Sequence, residues 1–219
     1  MSNLQVIKTN DMRFLLFTAL ACLISFNVLG QADKKDTLID LKTYTVLYSQ
    51  KYLQPLEVRY HVMCPSTKKK IKECKKMYFK TAIGDSLKIK TTKDKHYAKS
   101  KLDSLDIWDK GHMAPRASLA CTCEDVEITY TFINCAIQHK KLNRENPWKK
   151  LEKIEIDSAK NNNVEVIIKV EFKDSLNYLG DALIPSGFNK TLIINGDSTS
   201  YYFPNEKPCS KDLEHYKID

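Results

Sequence analysis

A glycine and a histidine between two cations form the segment of this sequence with the clearest chemical potential. Residues 108–116 read WDKGHMAPR. His112 can take a proton from water near neutral pH, because the ordinary pKa of imidazole lies in that range. Lys110 and Arg116 can offer positive charge to a phosphate group, and Gly111 lets the backbone approach a ligand closely. A lone histidine is more often structural than catalytic, so its surroundings decide the interpretation.

Three further motifs follow this segment in order. They are FINCAIQ with Asn134 and Gln138, LN with Asn143, and WKKLE with Glu152. Taken singly, each motif is uninformative. An asparagine at a strand end can cap a turn, and a glutamine or a helix glutamate is ordinarily a surface residue. The information therefore lies in their order and spacing.

Together the four motifs resemble the DNA/RNA non-specific endonucleases of the endonuclease G type. That family carries D-R-G-H-x-A-P, then N-x-x-P-Q, then L-N and W-x-x-L-E, and the match covers residues 108–152. Weaker similarities at Tyr44–Val62 and Ile184–Ile194 extend it over most of the chain. The resemblance implies a ββα-metal core and an endonuclease that hydrolyses phosphodiester bonds of DNA and RNA with little sequence specificity.

The resemblance also assigns the central chemical roles. His112 is similar to the general base that activates the attacking water. Asn143 is similar to the single protein ligand of a hydrated Mg²⁺, with Mn²⁺ as an alternative ion, and such an ion keeps most of its waters. Glu152 is similar to the helix glutamate that holds one of those waters.

Supporting roles follow from the same comparison. Asn134 is similar to the asparagine that supports the site beside the histidine, and Gln138 stands at a supporting position of the same kind, within the expected substrate site. Lys110 stands where the family usually has arginine, in a catalytic and phosphate-binding position. Arg116 can touch phosphate, although a surface role suits it equally.

Three departures from the family pattern bear on activity. Lys110 keeps the charge of arginine but loses its planar, bidentate grip on phosphate. Ile137 replaces the proline before Gln138. Asn143 and Glu152 are nine residues apart instead of eight, which places them on opposite faces of a straight helix at about 100° per residue. We therefore expect a break or bulge at Asn146-Pro147, because proline disfavours helical geometry in the preceding residue.

These departures leave an alternative function open. A basic nucleic-acid-binding protein with a degraded, inactive nuclease site also fits the sequence. The net charge of +8 suits a polyanionic partner, here DNA and RNA, although many basic proteins bind nothing anionic. A third reading is an exported, disulfide-bridged domain with an unrelated role. The hydrophobic content of 42% excludes a disordered chain.

The first 32 residues read as a secretory signal peptide. Lys8 and Arg13 precede the mostly apolar run Phe14–Gly30, which has no charged side chain. The alternative is a single membrane anchor, since the run is near the lower limit for spanning a bilayer. We expect cleavage, which leaves an endonuclease domain at residues 33–219 that is secreted or periplasmic and has no stable membrane association.

Six of the seven cysteines lie beyond this leader. An even number of cysteines in an exported chain favours disulfide bonds, whose pairing the sequence does not reveal. Cys121-Thr-Cys123 alone is also compatible with metal binding, but no second pair stands at zinc-ligand spacing.

The pattern of strands and helices is typical of an α+β fold. Strands are expected at residues 43–48, 56–63, 126–135, 164–172 and 200–203, residues 183–194 are expected to hold a turn and another strand, and a turn is expected near Gln54-Pro55. A helix is expected from Pro147, with Trp148, Leu151, Ile154 and Ser158 on one face. Residues 33–40 read as loose, and residues 65–104 as irregular with a short helix near 69–77. With the resemblance, the prediction is an antiparallel central sheet with flanking helices and a ββα motif.

Overall fold

A seven-stranded antiparallel sheet forms the framework of the molecule. The computed structural model describes residues 36–65, 74, 77–97, 107–145, 147–173 and 177–218. The strands are β1 (Asp36–Asp40), β2 (Tyr44–Ser49), β3 (Gln54–His61), β6 (Val164–Glu171), β9 (Gly187–Ile194), β10 (Asp197–Pro204) and β11 (Lys217–Ile218). They are ordered β1-β2-β3-β6-β9-β10-β11, and each neighbouring pair is antiparallel. The α+β prediction with an antiparallel central sheet is confirmed.

Alternation of apolar and polar residues explains how the sheet acquires a buried face. In β6 the side chains of Val164, Val166, Ile168 and Val170 are buried, whereas the exposed Lys169 lies on the other face. In β9 the buried positions are Phe188, Lys190 and Leu192. A lysine thus occupies a core position, and its partner must come from the layer packed on that face.

The remaining elements cover this face and build a smaller hairpin. The hairpin pairs β4 (Trp108–His112) with β5 (Cys135–His139), and a second small pair joins β7 (Tyr178–Leu179) to β8 (Ala182–Leu183). The helices are α1 (Ala82–Ser86), α2 (Arg116–Leu119), α3 (Cys123–Thr129), α4 (Lys140–Arg144) and α5 (Trp148–Ser158), with 3₁₀ turns at Phe132–Asn134 and Glu214–Tyr216. β4 and β5 are connected through α2 and α3, and β5 leads into α4 and α5. This is the expected ββα arrangement.

The predicted strand at residues 126–135 is wrong. Residues 123–129 form α3, and β5 begins only at Cys135 after a 3₁₀ turn. The sequence carries the reason, because Thr122 and Asp125 form a capping box in which each side chain accepts a hydrogen bond from the other residue's backbone. This local start signal outweighs the β propensity of the apolar residues that follow.

Smaller corrections concern the edges of the sheet. Residues 36–40 form β1 instead of a loose segment, and Gln54-Pro55 begins β3 instead of a turn. The short helix found in the irregular region is α1, whereas the helix predicted near residues 69–77 lies largely outside the described residues. The strands predicted at 164–172, within 183–194 and at 200–203 are confirmed as β6, β9 and β10.

The core-facing side of α5 combines two apolar residues with a charged one. Trp148 and Leu151 are fully buried, as predicted. Ile154 is 36% exposed, and Glu155 is fully buried in its place. The prediction for Ile154 fails because the buried Lys190 of β9 recruits Glu155 to the core, a charge complementarity that hydrophobic periodicity cannot reveal.

Two disulfide bonds connect the segment after β3 to the turn between α2 and α3 and to the first residue of α3. They join Cys64 to Cys121 and Cys74 to Cys123. Cys135 and Cys209 are free thiols, the first buried and the second exposed. The expectation of disulfides is confirmed for four of the six cysteines. Within the described ranges, no helix is long and apolar enough to cross a membrane.

Candidate active site

The β4–β5 hairpin sets the register of the site. Asp109 lies opposite Gln138, Gly111 opposite Ala136 and His112 opposite Cys135. A Cβ at Gly111 would lie 2.8 Å from the Cβ of Gln138. Gly111 is therefore required by the close packing of Gln138 against its backbone. We expected it to admit a ligand, so this is a correction.

The imidazole ring of His112 is held between two aromatic side chains. Its centroid lies 4.7 Å from the ring of Phe79 and 4.8 Å from the ring of Tyr130, which meets it edge-on. Nε2 is buried and has no hydrogen-bond partner among the described residues. Nδ1 likewise has no such partner, but it is not among the fully buried atoms. It is therefore the ring nitrogen that a water molecule can reach.

The environment of His112 keeps its ring neutral. Burial, followed by the positive charges of Arg116 and Lys110, lowers the pKa of His112 from 6.5 to about 4. A neutral imidazole at pH 7 has a free nitrogen that can accept a proton. The ring is thus in the protonation state that a general base requires.

Asn134 fixes the chain on the far side of His112. Its side-chain Oδ1 accepts a hydrogen bond from the backbone N of Ala114 at 2.7 Å, and its Nδ2 donates to the carbonyls of Ala114 and Thr129 at 2.9 and 3.0 Å. The backbone N of Met113 donates to the carbonyl of Asn134 at 3.0 Å. Asn134 is fully buried, so it orders the segment after His112 and does not itself face solvent.

Lys110 is enclosed by aromatic rings and one carboxylate. Its Nζ lies 5.2 Å from the ring centroid of Phe79 and 5.9 Å from that of Phe132. It also donates to Asp94 Oδ1 at 2.5 Å. Cation–π contacts and an ion pair together hold this ammonium group near His112. A phosphate group that binds Lys110 must share it with Asp94.

Arg116 is joined to the histidine through Tyr130. The guanidinium Nη1 donates to the hydroxyl of Tyr130 at 2.9 Å, and the ring of Tyr130 in turn packs edge-on against His112. Arg116 is exposed at the start of α2. It therefore presents positive charge to solvent beside the general-base candidate, which suits a contact with a phosphate.

Asp109 ties the hairpin to α4. Its carboxylate accepts a hydrogen bond from Asn143 Nδ2 at 2.9 Å and two from Arg144, each at 2.6 Å. The bidentate arrangement with Arg144 is the strongest form of such a pair. Asn143 is half-buried, and its Oδ1 has no hydrogen-bond partner within the described part of the chain. Asp109 thus orients Asn143 and leaves its oxygen available.

The chain breaks between α4 and α5, as the spacing of Asn143 and Glu152 predicts. α4 ends at Arg144, the backbone is extended at Glu145 with φ −116° and ψ −179°, and α5 begins at Trp148 after Pro147. Asn146 lies outside the described residues. The break removes the constraint that would place Asn143 and Glu152 on opposite faces of one straight helix.

Glu152 lines a groove beside α5. This groove has a volume of about 1060 Å³ and also contacts Arg144, Pro115 and Ser118. Glu152 Oε1 accepts a hydrogen bond from Trp148 Nε1 at 3.1 Å. Desolvation, reinforced by Glu155, raises the pKa of Glu152 to about 7, although Lys190 and Trp148 act in the opposite direction. The group therefore titrates near neutral pH.

A buried ionic cluster lies beneath α5. Glu155 and Lys190 form an ion pair in which both side chains are fully buried, and the contact lacks the geometry of a hydrogen bond. Glu155 Oε2 accepts hydrogen bonds from Tyr60 at 2.8 Å and from Ser118 at 3.4 Å. Lys190 Nζ lies 4.5 Å from the ring centroid of Trp148. The cluster joins β3, β9, α2 and α5 directly below Glu152.

Gln138 is fully buried in the hairpin. Neither its Oε1 nor its Nε2 has a hydrogen-bond partner among the described residues. A polar group of this kind is costly to bury alone. Its packing against Gly111 favours the supporting role that the sequence suggested over a direct contact with substrate.

The structure thus gathers most of the predicted residues around one hairpin. His112, Lys110, Asn134 and Gln138 lie on or against it, Asn143 is linked to it through Asp109, and Arg116 through Tyr130. Glu152 lies on the groove beside α5, in contact with Trp148. The sequence reading gave no role to Asp109, Phe79, Asp94 or the Glu155–Lys190 pair. Only Asp109 had a sequence signal, since it stands inside the WDKGH segment.

The oxygen donors present fit a weakly held, hydrated divalent cation. The described residues contain no group of three or more His, Cys, Asp or Glu side chains that could hold a metal ion. Mg²⁺ needs no such group, because it retains several waters and takes one or two protein oxygens. The available Oδ1 of Asn143, oriented by Asp109, supplies one.

Comparison with known proteins defines the class. The model of the DNA/RNA non-specific endonuclease family matches residues 26–219. The chain belongs to this family and is a non-specific endonuclease. Its fold is similar to that in the crystal structure of the EndoG/EndoGI complex, with a TM-score of 0.68 and 18% sequence identity, over 84% of this chain and 80% of that chain. No curated protein matches the sequence.

Proposed function

We propose that this protein is an exported endonuclease that hydrolyses DNA and RNA with the help of a divalent metal ion, with His112 as its general base. The observation that carries the assignment is the state of His112. Its ring is neutral and packs against Phe79 and Tyr130, and its Nδ1 has no hydrogen-bond partner in the described part of the chain. A base that must accept a proton from water needs these three properties.

The proposed steps follow from the positions of the side chains. His112 Nδ1 takes a proton from the water that attacks phosphorus. Lys110 and Arg116 bind the non-bridging oxygens of the phosphodiester, and Asn134 holds the segment after His112 in place. Glu152 fixes ordered water on the α5 side of the site. Because these groups contact phosphate and not base edges, sequence preference is weak.

Asn143 holds the metal in this proposal. A divalent ion, Mg²⁺ or Mn²⁺, supplies positive charge that stabilises the charge developing on the phosphate and the leaving oxygen. Asp109 prepares Asn143 for this role, since it engages Nδ2 and leaves Oδ1 facing away from the ion pair. Substitution of Asn143 is therefore expected to weaken metal binding, so that cleavage requires a higher metal concentration, without unfolding the hairpin.

Export rests on two separate observations. The leader pattern of residues 1–32 precedes the domain, which begins near residue 33. The two disulfides are stable only in an oxidising compartment such as the periplasm or the medium. The mass of the protein recovered from a secreting host tests this part, and a mature chain that starts near Asp33 supports it.

Cleavage of plasmid DNA and of RNA by the mature chain tests the assigned chemistry. We expect activity with Mg²⁺ or Mn²⁺, none with EDTA, and a loss of about 100-fold or more in His112→Ala. His61→Ala is the matched control, because His61 is exposed at the end of β3 and is expected to leave activity unchanged. Full activity of folded His112→Ala would refute the assigned base. Binding without cleavage by the unsubstituted chain would favour a nucleic-acid-binding protein with an inactive site.

A further inference from the structure

A second cleft adjoins the site on the side of Phe79. It has a volume of about 610 Å³, and two aromatic residues, Phe79 and Phe132, form part of its lining together with Lys80, Lys93 and Lys95. Phe132 is almost fully buried, whereas Phe79 is half-buried and reaches solvent. The cleft is large enough for one nucleotide, since pockets for small ligands begin near 300 Å³.

The ring of Phe79 is held by three aromatic neighbours, and Lys110 Nζ also lies 5.2 Å from its centroid. It packs 4.7 Å from His112, 5.5 Å from Tyr130 and 5.4 Å from Phe132, measured between ring centroids. A side chain held on three sides cannot rotate away when a ligand arrives. Phe79 therefore offers a preformed apolar surface directly beside the proposed general base.

The rim of the cleft carries both signs of charge, and two of its lysines form no ion pair with the described residues. Lys80 is paired with Glu127, and Asp94 is paired with Lys110. Lys93 and Lys95 have no carboxylate within salt-bridge distance among the described residues, whereas Asp85 is the remaining acid of the lining. The cleft thus combines an aromatic floor with free cations, the combination by which proteins bind single-stranded nucleic acid.

The segment that carries these lysines is anchored. His96, which directly follows Lys95, is buried, accepts a hydrogen bond from the backbone N of Lys93 at 2.9 Å and contacts Asp181 of the β7–β8 turn. Tyr97 is buried next to it. The position of the basic rim relative to Phe79 is therefore set by the fold.

We propose that Phe79 is the stacking platform for one unpaired nucleobase next to the scissile phosphodiester. The base lies on the ring of Phe79, and its flanking phosphate faces Lys93 and Lys95. A base inside a duplex has both faces covered by its neighbours, so only an unpaired or extruded base can use this platform. The inference rests on the proposed nuclease function and predicts that single-stranded or locally unpaired nucleic acid binds more tightly than continuous duplex.

Binding of single-stranded oligonucleotides with one abasic unit tests the proposal. The mature chain is kept in EDTA to prevent cleavage, and affinity is measured by fluorescence anisotropy as the abasic unit is moved along the strand. We expect one position where loss of the base weakens binding by about 5- to 150-fold. Phe79→Leu should lose most of this difference, Phe79→Tyr should retain it, and Tyr178→Leu, at an exposed aromatic on β7, should leave it unchanged.

Phe79→Leu variants that retain the full difference between base-bearing and abasic strands overturn the proposal. If Phe79→Leu does not fold, the strand series with the unsubstituted chain decides, and the absence of any position at which an abasic unit weakens binding contradicts the platform. Cleavage without discrimination against abasic strands defeats only this inference. Discrimination in a chain that never cleaves defeats only the nuclease assignment.

Discussion

The β4–β5 hairpin and the layer beneath α5 both bury polar side chains, and the two regions provide for them differently. Beneath α5, Glu155 is paired with Lys190 and accepts hydrogen bonds from Tyr60 and Ser118. In the hairpin, His112 Nε2 and both polar atoms of Gln138 have no partner among the described residues. The first region joins four elements of the fold, and the second carries the proposed chemistry.

The difference shows that the layer beneath α5 contributes to the stability of the fold, whereas the hairpin lowers it. A buried polar group without a partner costs about 1–3 kcal/mol, a cost that selection tolerates mainly at functional sites. The ionic cluster lies directly under Glu152 and Trp148, so the stable region supports the unstable one. Substitutions in each of the two regions test this difference in stability.

The largest effect is expected from Lys190→Met. It leaves the carboxylate of Glu155 buried without its counter-charge, which costs roughly 3–5 kcal/mol in the free energy of unfolding. Denaturation in urea measures the loss. The double variant Lys190→Met with Glu155→Gln should recover most of it, and Lys169→Met, on the exposed face of β6, should change stability by less than about 0.5 kcal/mol. A single variant as stable as the unsubstituted chain would show that the pair does not hold α5.

Asn134→Ala should have the next largest effect. It removes three buried hydrogen bonds and leaves the backbone N of Ala114 without an acceptor, at a cost of about 3 kcal/mol. The same denaturation experiment measures it. Asn189→Ala is the matched control, because no described hydrogen bond involves its side chain. Equal losses in the two variants would contradict the positioning role of Asn134.

The third prediction concerns acid. The folded chain holds the pKa of His112 near 4, whereas the unfolded chain has the ordinary value of 6.5. Between these values only the unfolded chain takes up the proton, so the contribution of His112 to the free energy of unfolding falls as pH drops from 6.5 to 4 and then levels off. The total contribution is up to about 3 kcal/mol. Because burial raises the pKa of Glu152 to about 7, Glu152 acts in the opposite direction in both chains, so the contribution of His112 is read as the change between pH 7 and pH 4 in the difference between the unfolding free energies of the unsubstituted chain and His112→Gln.

His61→Gln provides the control for that series. The side chain is exposed, so its removal should leave the pH dependence of stability as it is in the unsubstituted chain. If the difference in unfolding free energy between the unsubstituted chain and His112→Gln is the same at pH 4 and pH 7, the neutral state assigned to His112 loses its support.

The smallest effect separates two buried glutamines. Gln54 is fully buried with both ends engaged, to the carbonyl of Leu183 at 2.7 Å and the backbone N of Ile137 at 2.8 Å. Gln54→Met should therefore cost about 1–3 kcal/mol, whereas Gln138→Met should be neutral or stabilise by about 1 kcal/mol. Thermal unfolding of the two variants measures the contrast. A similar loss in both would show that Gln138 is hydrogen-bonded in solution.

Much of the site could be predicted from the sequence, because its residues are close to one another along the chain. His112 and Lys110 share one strand, and Asn143 and Glu152 flank one break. The interruption near Pro147 was predicted from the family resemblance, which gives Asn143 and Glu152 one shared site, from their spacing of nine residues, which a straight helix cannot bring to one face, and from the proline itself. Motif order identified the family for the same reason. The predicted strand at 126–135 failed because the capping box at Thr122 was overlooked.

Local sequence patterns specify five of the seven strands of the sheet, the interruption before α5 and the residue types of the site, because periodicity, proline geometry and short motifs act over a few residues. The packing of the fold alone places Gln138 against Gly111, Asn143 on Asp109 and Phe79 against His112. It also placed Glu155 opposite Lys190, two residues 35 positions apart in sequence. Contacts between distant segments depend on how strands and helices pack, and no local pattern encodes them.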